Sequence, residues 1–261
     1  MPTKTGKPYS GFYGNDLAVD QAGNTGVDAT VRKIQDGFGN DSSLSLSKRQ
    51  TKIYCSTHNT TTAFTVADSA NANILAIDTH NSKVLVGASQ VAANTLIKEM
   101  GLYEFSPNAA GYHYPLKANT MFSDAESLTY EDDWGNSADP PTTLDVSGLT
   151  DPENAIAVYW YVDHNITLDS VRYMAIADGT ATLNFHLFAY TLDTSSNHGD
   201  LSSGTVHANA SVAATATTIK TGTFTLDEAD IDQNKVVIGF VENHTDTSDL
   251  SCSFQINYHI R

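Results

Sequence analysis

Ser251-Cys-Ser-Phe-Gln-Ile-Asn-Tyr-His-Ile260 is the stretch on which the fold turns. Cys252, Phe254, Ile256, Tyr258 and Ile260 fall on one side, and Ser251, Ser253, Gln255, Asn257 and His259 on the other. That two-residue period is the mark of a half-buried strand. Working back along the chain, Ala181–Tyr190 alternates around Leu183, Phe185 and Leu187, while Val236–Val241 and Ile156–Val162 are continuous apolar runs of the fully buried kind. Thr167–Ala177 and Thr218–Leu226 add two more strands. Six or more strands separated by turn-rich loops, with no convincing helix among them, predict a mainly β protein whose residues 117–261 form an antiparallel, jelly-roll-like sandwich. The segment from Glu131 to Leu144 is too acidic and too rich in proline for a core strand, and reads as a long loop.

Upstream the pattern thins. Phe64–Ala67, Asn73–Asp78 and Lys83–Val86 are three short apolar runs divided by Asp- and Asn-rich turns, which predicts a small β-meander. A meander this thin has one apolar face and no second layer in its own sequence, so it needs a partner sheet. Copies of itself are the simplest supply. The six residues expected to form that intersubunit face are Phe64, Val66, Leu75, Ile77, Val84 and Val86. Residues 88–101 are the best helix candidate, since Ala92, Leu96 and Met100 recur at helical spacing and Gly101 could cap the end. Thr95–Phe105 also tolerates a strand.

Residues 1–50 carry few large apolar side chains and many glycines, so they predict an extended arm that orders against something else. Within it, Asp36–Asp41 gives a tight turn, and Leu44 and Leu46 share one face of a short strand. The predicted organisation is thus an arm over 1–50, a meander and stalk region over 51–116, and the sandwich over 117–261.

The chain has 261 residues, 40% hydrophobic and 17% charged, with a net charge of −16. Residues 1–116 hold nine acids and nine bases, so the whole imbalance lies beyond them, and the step sets a boundary near 110–117. An acidic sandwich repels phosphate backbones and anionic headgroups, so neither nucleic acid nor membrane is an expected partner. No apolar run reaches membrane-spanning length, and no apolar h-region follows the first lysines. Cys55 and Cys252 read as free thiols.

Chemistry is sparse in this text. It contains no phosphate-binding glycine loop, no G-x-S-x-G elbow, no C-x-x-C and no H-E-x-x-H, so no catalytic residue, cofactor or metal is expected and the chain is not read as an enzyme. The nine histidines are scattered and read as loop or strand-surface residues. Two acidic clusters, Glu131–Asp133 and Asp227–Asp232, read as solvated loops. Trp134 and Tyr159-Trp160-Tyr161 could stack on sugars, but alternation forces Trp160 or its tyrosine neighbours into the core.

Three phrases carry a resemblance: Gly11-Phe-Tyr-Gly-Asn15, Ile34-Gln-Asp-Gly-Phe-Gly-Asn-Asp-Ser-Ser-Leu-Ser-Leu-Ser47, and the meander itself. They resemble accessory virion proteins of tailed bacteriophages, notably marine ones, of the fibre-like and head-decoration types. The resemblance covers about the first 90 residues by motif and the rest by architecture alone. It implies a virion-docking segment carried by Gly11, Phe12, Tyr13, Val31, Ile34, Phe38, Leu44 and Leu46, and a homotrimer built on the meander. It also implies an outward-projecting C-terminal domain. Major capsid or other virion proteins are the implied partners, and the virion surface, after assembly in the host cytoplasm, is the implied location. A single meander departs from the family's long repeat arrays, so a stubby spike or capsid decoration fits better than a long fibre. Two other readings stand beside it: a tail-associated receptor-binding fibre whose partner is a host surface glycan, and a polysaccharide-degrading enzyme.

Overall fold

A computed structural model describes residues 17–19, 27–36, 38–53, 59–87, 91–104, 112–118, 134–135, 139–145, 156–194, 200–216, 218–243 and 249–261. The chain divides into two compact units, Met1–Ala93 and Asn94–Arg261. The division precedes the step in charge at 110–117, because the strand that follows Asn94 pairs into the C-terminal sandwich.

The described residues of the first unit form two antiparallel sheets. β1 (Ala18–Val19), β2 (Arg32–Gln35), β3 (Asp41–Leu46) and β4 (Thr51–Ile53) pair in chain order. The described part of the expected extended arm is therefore a sheet, held mainly by its turns. The Asp36 carboxylate accepts hydrogen bonds from the backbone N–H of Phe38 and Asn40, both at 2.9 Å, and from Asn40 Nδ2 at 2.8 Å. Gly39 follows at φ +82°, a conformation that side chains bearing a Cβ rarely adopt. The Ser47 hydroxyl closes the next turn by accepting from Arg49 and Gln50 N–H. Among the described residues of this sheet, Ile34 and Ser45 are the only buried side chains.

β5 (Phe64–Ala67), β6 (Asn73–Asp78), β7 (Lys83–Val86) and β8 (Val91–Ala92) form the second sheet, again in chain order. Asp68 and Asp78 fold their carboxylates back onto backbone N–H groups two to four residues ahead, which sets both turns of the meander.

The second unit is the sandwich. One sheet runs β15 (Lys220–Thr223), β12 (Ile166–Ala177), β19 (Leu250–Ile260), β9 (Leu96–Glu104), with β17 (Asp230–Ile231) also on β12. The other runs β10 (His113–Pro115), β18 (Lys235–Asn243), β13 (Ala181–Leu192), β14 (Leu201–Ala214), β16 (Thr225–Leu226), with β11 (Trp160–Val162) also on β18. Taken in chain order, the principal strands β9, β10, β12, β13, β14, β15, β18 and β19 are dealt first-eighth-third-sixth into one sheet and second-seventh-fourth-fifth into the other. That order is a jelly roll.

The helix expected over 88–101 is absent among its described residues. Leu96–Glu104 is β9, paired antiparallel to β19 from Leu96 opposite Tyr258 to Glu104 opposite Leu250. Leu96 and Met100 satisfy a period of two as readily as one of 3.6, and burial of Met100 and Leu102 against the sheet opposite decides for the strand. Gly101 lies mid-strand, not at a cap. The apolar run from Ile156 is also shorter than expected as a strand: Ile156–Val158 turns, and only Trp160–Val162 pairs. The stretch Thr218–Leu226 changes sheets at Phe224, so that β15 pairs with β12 while β16 pairs with β14.

Between the sheets, Tyr173, Phe185, Phe224 and Phe254 form an aromatic cluster with ring centroids 4.8–6.1 Å apart. A second, smaller core covers the outer face of the β13–β18 sheet, where Trp134, Leu144, Val158 and Tyr159 pack on Phe188, Tyr190, Val236, Ile238 and Phe240. Both faces of β13 are thus covered, and Phe185 to Tyr190 are buried without a break. Tyr190 reaches across to donate its hydroxyl to the Pro141 carbonyl at 2.9 Å, and so pins the covering loop.

Candidate functional site

The meander aligns its six expected residues. Phe64, Ile77 and Val84 stand opposite one another across β5, β6 and β7, and Val66, Leu75 and Val86 form the next row. The two rows lie on one face of the sheet. Phe64, Val66 and Val86 are 39%, 44% and 46% exposed, and Leu75, Ile77 and Val84 are half-buried. A face of this kind presents two full rows of apolar side chains to whatever covers it.

Of the residues assigned to docking, Gly11, Phe12 and Tyr13 lie outside the described residues. Val31, Leu44 and Leu46 are half-buried, Ile34 is buried in the chain's own sheet, and Phe38 at the tip of the β2–β3 turn is 79% exposed. Cys252 is a free, buried thiol, and Cys55 is outside the described residues. Trp134 and Trp160 are both buried, and of the aromatic candidates for sugar stacking only Tyr161 is half open, with its hydroxyl given to Asn234 Oδ1 at 2.7 Å. The acidic loop at 227–232 faces outward in separate pairings: Asp227 takes Asn209 Nδ2, and Arg261 bridges Asp230 and Asp232 at 3.0 Å each. Glu131–Asp133 is outside the described residues.

One constellation was invisible in the sequence. His113 on β10, His186 on β13 and Glu242 on β18 are all buried on the outer face of their sheet, with one ligand atom from each lying within 4.8 Å of the others. Register explains the meeting. His113 is directly opposite Glu242, Glu242 is directly opposite Asn184, and His186 is two residues along from Asn184 on the same face. Phe240 and Phe188 wall the site, with ring centroids 6.1 Å from His113 and 6.3 Å from His186.

Its polar atoms are unevenly served. His113 Nδ1 meets the Gly135 carbonyl at 3.2 Å, and Asn184 Nδ2 donates to Glu242 Oε2 at 2.7 Å. His113 Nε2 and both ring nitrogens of His186 are buried without a hydrogen-bond partner. Burial lowers the pKa of His113, and it drives that of His186 down to about 4 with help from the adjacent His113. Both imidazoles are neutral at pH 7, the form in which a ring nitrogen can ligate a metal.

Acid should therefore loosen this unit. Between the ordinary histidine pKa near 6.5 and the folded value of about 4, the unfolded chain binds a proton that the folded chain refuses. Stability is full above that window and falls as pH drops through it, by about 3 kcal/mol for His186 alone. Denaturant unfolding in a chelating buffer between pH 7 and pH 4 measures it. A His186→Phe variant is expected to remove its own share of the slope and leave the part that His113 contributes.

No family model matches this chain, and no curated protein matches it. Among solved structures, the empty head of turnip yellow mosaic virus aligns over 64% of this chain and 80% of its own, at 6% identity and a TM-score of 0.21. Desmodium yellow mottle tymovirus aligns over 64% and 87%, at 7% identity and a TM-score of 0.19. Likenesses at those scores carry no weight for fold or role.

Proposed function

We propose that this chain is a structural component of a virus particle, a short spike or decoration of a tailed phage. It would dock through its N-terminal sheet and assemble through its meander as a homotrimer. The observation that carries the reading is the apolar face of β5–β7, whose rows are uncharged and only partly covered in the single chain. Burying such rows against identical rows is favourable at about 25 cal/mol per Å² of apolar surface, and a threefold arrangement lets each copy cover the next. The phrases resembling phage accessory proteins lie in the same unit. A jelly roll is compatible with the projecting role but hosts many others, so it is not what selects this one.

The mechanism is burial and shape. Attachment through Phe38 and the neighbouring apolar side chains relies on excluding water, which salt does not screen. Intact particles bearing a labelled copy of the full chain are expected to show the label at their surface, and to keep it through a high-salt wash. Absence of label from particles overturns the reading. Particles lacking the chain are expected to adsorb to host cells normally; lost adsorption would favour the receptor-binding alternative.

A further inference from the structure

We propose that His113, His186 and Glu242 bind one divalent transition-metal ion of the zinc class, tying β10, β13 and β18 together on the outer face of the sandwich. The three residues come from neighbouring strands of one sheet, so their backbones are already fixed by the ladder. Zinc takes nitrogen and oxygen ligands at about 2.0–2.2 Å, which sets ligand atoms roughly 3.4 Å apart. Drawing three side chains in from a spread of 4.8 Å needs rotation about side-chain bonds and no change of register.

The unsatisfied nitrogens point the same way. His207 and His259 are as buried as His186, yet His207 contacts the Glu228 carbonyl at 3.0 Å and His259 contacts the Asp169 carboxylate at 3.1 Å. His186 is 7% exposed and has no partner on either ring nitrogen, and His113, 1% exposed, has none on Nε2. Buried polar atoms left in this state are uncommon, and a bound ion is a standard reason for them. An ion accepts the lone pair that each neutral imidazole offers.

The surroundings have the form of an outer coordination shell. With its Nδ1 proton directed at the Gly135 carbonyl, His113 holds its Nε2 lone pair free for a ligand bond, and Asn184 orients the Glu242 carboxylate. Two imidazoles with one carboxylate suit zinc and its neighbours, whereas calcium and magnesium require mostly oxygen ligands. The aromatic wall and deep burial hold the three ligands in place, and three protein ligands leave a fourth coordination position to water or another small ligand.

The test uses the full chain, stripped with a chelator and titrated with Co²⁺ and then Zn²⁺. The expected result is a single equivalent of Co²⁺ with visible ligand-field bands, displaced by Zn²⁺, and a Tm that rises with Zn²⁺ concentration. His186→Phe and the isosteric Glu242→Gln should each weaken binding at least about tenfold, while His80→Ala, at an exposed turn, should not. Imidazole NMR of the unmutated chain gives a readout that needs no variant: Zn²⁺ should shift His113 and His186 specifically. Failure of the unmutated chain to bind a stoichiometric ion overturns the proposal. So does binding that survives Glu242→Gln unchanged, is lost in His80→Ala, or leaves the His113 and His186 signals unmoved.

Discussion

Phe254→Ala is expected to lower the unfolding free energy of the C-terminal unit by about 4 kcal/mol, the upper range for a buried aromatic truncation. Phe254 is 1% exposed on β19 and meets Phe224 at 4.9 Å and 77° and Phe185 at 5.5 Å and 79°, both edge-to-face geometries. Phe185 belongs to the sheet opposite, so the ring is held from both layers. The backbone of β18 approaches closely as well: a Cβ on Gly239 would stand 3.0 Å from the Phe254 ring. Two hydrogen-bonded sheets cannot sink toward each other to fill the space of a missing ring, and so the cavity cost adds to the lost transfer energy. A domain of this size holds roughly 5–15 kcal/mol in all, so the midpoint of a denaturant curve should move far while its slope stays the same. Phe254→Leu should cost less than half as much. A loss under about 1 kcal/mol for the alanine variant would mean that the two sheets do not close over this ring.

β19, β12, β13 and β18 were legible because their apolar positions are large and their spacing admits one reading. β14 was not. Leu201–Ala214 lines the sandwich with alanines, and its small residues fall opposite large ones on β13, Ala210 against Phe185 and Ala208 against Leu187. Packing complementarity across a ladder thus erased the hydrophobic contrast by which a single strand is recognised in sequence. β9 failed differently, since an apolar pair four residues apart belongs to both periods and only the partner strand can choose. Of the N-terminal sheet only the Asp36–Asp41 turn and the strand bearing Leu44 and Leu46 were legible, because hydrogen-bonded turns, and not buried area, hold it. The meander's six-residue face was fully legible, because both rows follow from alternation once the two Asp turns fix the register. The His113, His186 and Glu242 cluster could not be found by spacing at all. Its members are far apart in the chain, and only the registers of β10 and β13 on β18 bring them to one spot. A weak clue existed in His186, a polar interruption on the face of β13 that also carries Phe188 and Tyr190.

Ile77→Asp should abolish self-association of the full chain, leaving monomer where light scattering of the unmutated protein is expected to give a trimer. Ile77 is the centre of its row, flanked by Phe64 on β5 and Val84 on β7, so in a trimer each copy would bury the new carboxylate among apolar side chains. A buried charge with no partner costs on the order of 3–5 kcal/mol, and threefold symmetry applies that cost three times per assembly. The sheet itself should survive, because Ile77 is only half-buried in the single chain and the turns at Asp68 and Asp78 are untouched. Thr65→Asp is the matched control. It is exposed on β5, between Phe64 and Val66 and so on the opposite face of the sheet, and it should leave association intact. If both variants remain trimeric, some other surface makes the assembly. If the unmutated chain is itself monomeric at high concentration, the face of β5–β7 does not pair with copies of itself, and the proposed spike has lost its mechanism of assembly.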